Sequence, residues 1–412
     1  MNNGYTNITS DLQNLLDDYM NKESAEEFIK AIEAENTSRS TELNEIPESV
    51  KSQVEYSLPK GIDYRLIVDR MITHCEKQLT EDRYYNLLLD LSQLILFAGE
   101  NAYSLEIVQY LQSKVESDKK FASILAEANL IISKIYWSQA FWDECKSYIS
   151  EAARIFESIS SQSGIAKCEN MLGTLYGEKG EFDKAQKHLE NALSLMKDDD
   201  ELSHAMILTN LGIINTVNED YEKAAWNYKN ATEKFEKLND VRRVSRVYHN
   251  LGMLYTQMEN YDAALEEFNK CIAVSMDNNY LSNCAVAYIG KAYIYKKLNN
   301  PELADAYTDK AMEIAYKIND TLSIADIYKV KGMIQSDMDN FQLSEELFEN
   351  SIRLNNDIES NLNEAESAIE LGRLLKKTDR KEEAKSYFDA AVNFYNGLKN
   401  DNKVAGMVEH NI

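Results

Sequence analysis

Apolar residues recur every three or four positions in long stretches from Ile62 onward, the spacing of helices that bury one face, and these stretches come in pairs separated by short polar turns. From about residue 126 the pairs acquire a fixed period. Gly173, Gly212, Gly252, Ala292, Gly332 and Gly372 follow one another at 39 or 40 residues, and Ser133 holds the same slot one repeat earlier. Twelve residues after each stand Cys145, Ala185, Ala224, Ala264, Ala304, Ser344 and Ala384; seven further on stand Ala152, Ala192, Ala231, Cys271, Ala311, Ser351 and Ala391. Two positions seven apart share one helix face. The pattern predicts a helical hairpin whose first helix (helix A) sets its glycine against the first alanine of the second (helix B), while the second alanine receives the next hairpin.

The turns carry their own periodicity. Asp220, Asn260, Asn300 and Asn340 stand where a side-chain oxygen can cap the start of helix B, and Pro301 occupies a first-turn position. Asn239, Asn279 and Asn319 mark the turns between hairpins. Phe182, Tyr221, Tyr261 and Phe341, with Leu189, Tyr228, Phe268, Phe348 and Phe388, supply bulk for the gaps between helices.

This repeat, Leu-Gly-x-x-Tyr (Leu172, Gly173, Tyr176; Leu251, Gly252, Tyr255) followed by alanine, aromatic and alanine, resembles the tetratricopeptide repeat, whose usual period is 34. The 40-residue version with Asn-Leu-Gly is similar to the arrays of kinesin light chain and of Rap-type bacterial receptors for signalling peptides. The resemblance implies an all-α fold, a right-handed α-solenoid of stacked hairpins with an N-terminal helical cap and a concave wall lined mainly by the A helices. The expected divisions are 1–60, two short helices (around 12–20 and 25–32) and a polar linker; 61–125, a degenerate hairpin in which Ser92, Ser104 and Leu111 fit the columns loosely; 126–400, an array of about seven repeats; and 401–412, a capping helix or the start of a truncated repeat.

Composition narrows the partners. Asp and Glu outnumber Lys and Arg by 69 to 44, a formal charge of −25, which argues against nucleic acid or anionic membrane as the main partner. The N-terminal stretch lacks the basic face of a DNA-reading helix. No apolar run approaches a membrane span, and five cysteines without a C-x-x-C pair read as small apolar fillers in a reducing compartment, so the expected location is the cytoplasm. The five histidines have no metal-ligand spacing, and no phosphate-binding or nucleophile-elbow motif occurs. No catalytic residues, metal or cofactor are expected.

Counted from each small residue of helix A, positions −6, −3, +1 and +4 share a face that contacts ligands in the family. Here that face offers Lys167, Asn170 and Thr174; Met206, Thr209, Ile213 and Thr216; Arg246, His249, Met253 and Thr256; and later Tyr293, Lys296, Lys329, Arg373 and Lys376. A basic wall of Arg246, Lys296, Lys329, Arg373 and Lys376 suits acidic side chains or a free C-terminus; the same residues equally suit solvated cations balancing acidic neighbours. Asn210 and Asn250 offer amides that either grip the backbone of an extended peptide, as the resemblance implies, or bond within the stack. Lys291 and Lys331 stand where the repeat has leucine, which puts the register of those hairpins in question. The leading expectation is a non-enzymatic interaction module binding an extended segment of a partner. The alternatives are a Rap-like peptide receptor regulating a response regulator, and the sensor half of a longer signalling enzyme.

Overall fold

A computed structural model describes residues 64–97, 100–139, 141–196, 200–278, 280–318, 320–358 and 360–397, together with 12, 15, 17–20 and 28. Most of the expected N-terminal helices, the linker at 36–48 and the segment 401–412 lie outside the described residues. The chain divides into two compact units, 1–164 and 165–412.

The first unit contains α1 (Tyr64–Gln78), α2 (Glu81–Phe97), α3 (Asn101–Val115), a short 3-10 turn (Lys119–Phe121), α4 (Ala122–Ser138) and α5 (Trp142–Ser158). Val68, Met71, Leu88, Leu91, Val108, Leu111 and Ile132 form its buried core, and Leu12 packs into the same cluster. Arg83 donates to the carbonyls of Asp18 and Tyr19, and the Tyr19 hydroxyl donates to Asp90. Asp18 and Tyr19 are thereby tied to α2. The α2–α3 pair repeats the hairpin of the array more closely than its sequence suggests. The Ser104 hydroxyl donates to the carbonyl of Ser92, twelve residues back, at 2.7 Å, and Ser344 bonds Gly332 across the same twelve residues at the same distance.

The second unit is a succession of antiparallel hairpins: α6 (Gln162–Glu178) with α7 (Phe182–Leu195), α8 (Glu201–Val217) with α9 (Tyr221–Lys237), α10 (Val241–Gln257) with α11 (Tyr261–Asp277), α12 (Leu281–Lys297) with α13 (Pro301–Ile318), α14 (Thr321–Asp337) with α15 (Phe341–Asp357), and α16 (Asn361–Lys377) with α17 (Lys381–Gly397). Each helix packs mainly on its neighbours in sequence. Asp220, Asn260 and Asn300 cap helix B, accepting from the backbone N–H three residues on, whereas Asn340 turns its amide to Gln335. Asp200, Asp240 and Asp320 cap helix A in the same way. Inside each hairpin the chain reverses through a left-handed residue seven positions after the small residue: Gly180, Glu219, Glu259, Asn299, Asp339 and Asp379. The bonds Glu219 N–H to Thr216 O and Asp220 N–H to Asn215 O close the turn around Glu219.

The small-residue columns do more than make the expected glycine–alanine contact. A Cβ built on Gly212 would meet the Tyr228 ring at 2.5 Å; Gly252, Gly332 and Gly372 face Phe268, Phe348 and Phe388 in the same way, while Gly173 also comes near the backbone of its first alanine, Ala185, and Gly332 accepts the bond from Ser344. The glycine therefore makes room first of all for the large residue sixteen positions on, and it meets the first small residue of helix B as well at Gly173 and Gly332. Where the slot holds Ala292, the residue sixteen on is Thr308; where it holds Ser133, it is Ile149; all four are buried. The second small column does meet the next hairpin: Ser351 Oγ lies 2.8 Å from Ser367 Oγ, and the Cys271 thiol reaches the carbonyl of Asn283 at 3.6 Å. All five cysteines are free and buried. Lys291 and Lys331 leave the register intact, because each reaches a polar group on helix B: Asn269 on the preceding α11 for Lys291, Asp305 and Asp309 on α13 for Lys331.

Candidate functional site

A cavity of about 980 Å³ opens on the A-helix face of the second unit, lined by Thr174, Glu178, Asn210, Ile213, Val217 and Glu219 of the first hairpins and by Leu362, Glu366 and Tyr395 of the last. Counted from the small-residue column, the lining residues of the A helices fall mostly at −6, −2, +1 and +5. The expected +4 position is displaced in two helices. Thr216 and Thr256 are buried and bond the carbonyls of Gly212 and Gly252 at 2.8 and 2.7 Å. At about 100° per residue, +4 lies only about 40° from the glycine that faces the core, whereas −6, −2, +1 and +5 lie about 100–160° away. Glu178 and Val217, both at +5, fall outside the expected face for this reason, and Leu362 and Tyr395 fall outside it because they lie far along the chain. The angle from the glycine column is the signal that finds all of these except Leu362 and Tyr395, which the fold brings in from the far end.

Asn210 and Asn250 occupy the same slot, two residues before the glycine, with different surroundings. The Asn210 amide donates to Asn170 Oδ1 at 2.9 Å and to Thr174 Oγ1 at 3.2 Å, both on the preceding A helix. It is bonded within the stack. For Asn250 the equivalent residues are Thr209, whose hydroxyl donates to the carbonyl of Ala205, and Ile213, whose side chain has no acceptor; the Asn250 amide bonds neither. Asn250 Nδ2 is buried and has no hydrogen-bond partner among the described residues, and neither has Nδ1 of His249 beside it. Leaving a buried amide unpaired costs about 1–3 kcal/mol, so such groups mark places where something is meant to bind.

Around this pair the electrostatics are those of a recess. Burial pushes His249 down to about 4, with Arg246 adding to the effect, so its imidazole is neutral near pH 7. Arg246 retains solvent access but is walled by protein: burial lowers its pKa, Arg242 and Arg243 lower it further, and Glu178 opposes them. Glu178, also open to water, is pushed up by burial against the pull of Arg246. A side chain inside a concave wall has water beside it and protein on its other sides, which reconciles its exposure with its desolvation. Met253, partly exposed, completes this stretch of α10.

The rest of the predicted basic wall is largely occupied by the chain itself. Lys329 lies 3.1 Å from Asp326 and 3.0 Å from Glu366; burial alone would lower its pKa, but these two carboxylates more than offset that and hold it above the ordinary lysine range. Lys296 pairs with Asp337 at 3.1 Å and Arg373 with Glu370 at 2.5 Å. Tyr293 lies under the Lys297 ammonium, 5.5 Å from ring centre to nitrogen. Lys376 is exposed and makes no ion pair among the described residues. The ten predicted residues thus divide. Arg246, His249, Asn250 and Met253 share about two turns of α10, and Asn210 joins the cavity, while Lys296, Lys329 and Arg373 are neutralised by neighbours. Among the described residues no cluster of His, Cys, Asp and Glu could hold a metal ion, and no helix is long and apolar enough to cross a membrane.

Paired helices with a small-residue lattice and a groove along the A helices define a tetratricopeptide-repeat solenoid. The tetratricopeptide repeat family matches residues 203–277, and again 170–199, 285–317 and 365–396, so the chain carries tetratricopeptide repeats over these segments. By sequence, no curated protein matches it. Among solved structures it is similar to a Rap protein complexed with Competence and Sporulation Factor (14% identity, 95% of this chain and 99% of that one, TM-score 0.62). It is also similar to aspartyl phosphate phosphatase F from Bacillus subtilis (15% identity, 95% and 91%, TM-score 0.55) and to the Rap conjugation gene regulator of plasmid pLS20 in complex with the Phr* peptide (13% identity, 78% and 97%, TM-score 0.55). At these identities the likeness shows the fold alone.

Proposed function

We propose that this protein is a non-enzymatic interaction module whose second unit holds an extended peptide segment of a partner along its A-helix groove. The observation that carries this reading is the unpaired set on α10: Asn250 Nδ2 and His249 Nδ1, both buried without partners, next to the desolvated Arg246. An extended peptide supplies carbonyl and N–H groups at the spacing such side chains need, and a carboxylate of the ligand suits Arg246. Asn250 is the better backbone contact of the two asparagines, because Asn210 already spends its donors inside the stack. The solved Rap proteins with Competence and Sporulation Factor and with Phr* support a peptide as the ligand class.

A Rap-like regulator, in which the peptide alters how the first unit engages a response regulator, is the second reading. It is favoured by the packing of Leu12 and Tyr19 onto the α1–α2 core, which makes these two residues part of the first unit's helical body.

Selection of a displayed random decapeptide library on the full chain tests the groove. Enriched peptides, measured by fluorescence anisotropy, are expected to weaken about tenfold or more on Asn250→Ala and on Arg246→Ala, one strong charge-assisted contact being worth about 1.5–3 kcal/mol. Peptides that bind the wild type and both variants alike, or no enrichment at all, would remove the groove as the working surface.

A further inference from the structure

The seams between successive A helices are not equally fastened. Asn210 ties α8 to α6 through Asn170 and Thr174. Asn283 ties α12 to α10, donating to Ser245 Oγ at 2.7 Å and to the carbonyl of Arg242 at 3.4 Å. Lys296–Asp337 joins α12 to α14, and Lys329–Glu366 joins α14 to α16. At the seam of α8 and α10 the residue built to make such a tie is present, but its amide is the one left buried and unpaired. The cause is local: Thr209 and Ile213 stand where Asn170 and Thr174 would have received it. These two helices also approach each other over a shorter stretch than α10 with α12 or α12 with α14.

We propose that the α8/α10 seam is the yielding joint of the second unit, the place where its hairpins separate first. Opening here changes the spacing between the first hairpins and α16–α17, the two walls of the cavity, without breaking any hairpin. The joint is a property of the free chain and stands whether or not a peptide is the ligand.

Hydrogen exchange read by mass spectrometry on the full chain tests it. Helices α8 and α10 are expected to exchange about tenfold faster than α12 and α14 if opening is local to their seam. The double variant Thr209→Asn, Ile213→Thr rebuilds the missing receptors, and one recovered hydrogen bond should slow exchange in α8 and α10 about fivefold while leaving α14 unchanged. Uniform protection across the seams, or a folded double variant with unaltered exchange in α8 and α10, overturns the proposal. A matched pair covers the case in which the double variant fails to fold. Asn250→Leu should leave protection at α8 and α10 unchanged or raised, because an unpaired amide is removed, whereas Asn210→Leu should speed exchange in α6 and α8. Equal losses in both would show that the two seams are fastened alike.

Discussion

Gly212 and Tyr228 meet so closely that a single Cβ on the glycine would lie 2.5 Å from the ring, inside any allowed contact. The same relation recurs at Gly252 and Phe268, and it lapses only where the partner is smaller, as with Ala292 and Thr308. Volume is therefore conserved across the pair. Gly212→Ala is expected to destabilise the protein by about 1–3 kcal/mol through overpacking. Gly212→Ala combined with Tyr228→Thr should cost less than the sum of the two single changes, a coupling that urea unfolding of the four proteins in the cycle would reveal. Additive losses would mean that the ring relaxes away from the added methyl.

Glu219 and Glu259 hold left-handed backbone at φ 61 and 57, in the slot where the first hairpin has Gly180. Side chains with a Cβ pay for that conformation and glycine does not. Replacing Glu259 by glycine should raise stability by about 0.5–1 kcal/mol, seen as a higher urea midpoint at unchanged slope. A lower midpoint would show that the side chain contributes more than the backbone costs.

The cations of the groove differ in what they support. Lys329 is nearly enclosed, with 16% of its side chain exposed, and bridges Asp326 and Glu366; Arg373 is 51% exposed and pairs one turn back with Glu370. Lys329→Glu should destabilise by about 3–5 kcal/mol, since it leaves buried like charges together. Arg373→Glu should change stability by no more than about 1 kcal/mol. Chemical denaturation separates the two, and similar values for both would show that the Lys329 network is as solvated as the surface pair.

His249 supplies a pH dependence with a defined sign. Its pKa falls from 6.5 to about 4 on folding, so the unfolded chain binds the proton more readily between those values. The stability it contributes is complete above about pH 6.5 and is lost as the pH falls toward 4, up to ~3 kcal/mol. Glu178 acts in the opposite sense, because burial raises its carboxyl against the pull of Arg246. His249→Gln is expected to flatten the stability profile over this range in denaturation curves taken at stepped pH. A profile as steep as the wild type would assign the acid sensitivity to other groups.

The sequence by itself determined the repeat, its period, the pairing of helices and the small-residue lattice, because each depends on residues seven, twelve or forty apart along regular helices. It also determined most of the helix B caps, which are settled within three residues, and it placed Arg246 and His249 on one face of α10 with Asn250 beside them. Only the tertiary structure decided which groups are free. Asn210 and Asn250 are indistinguishable in their own repeats, and what separates them is whether the preceding helix presents Asn170 and Thr174 or Thr209 and Ile213. Lys296, Lys329 and Arg373 read as a basic wall, yet their charges are met by Asp337, Glu366 and Glu370 across a seam or a turn. Leu362 and Tyr395 enter the cavity from hairpins more than 140 residues beyond Asn210, through the accumulated turn of the stack. Local geometry follows from spacing along one helix, whereas the availability of a hydrogen bond or a charge depends on the side chain that a neighbouring repeat brings against it.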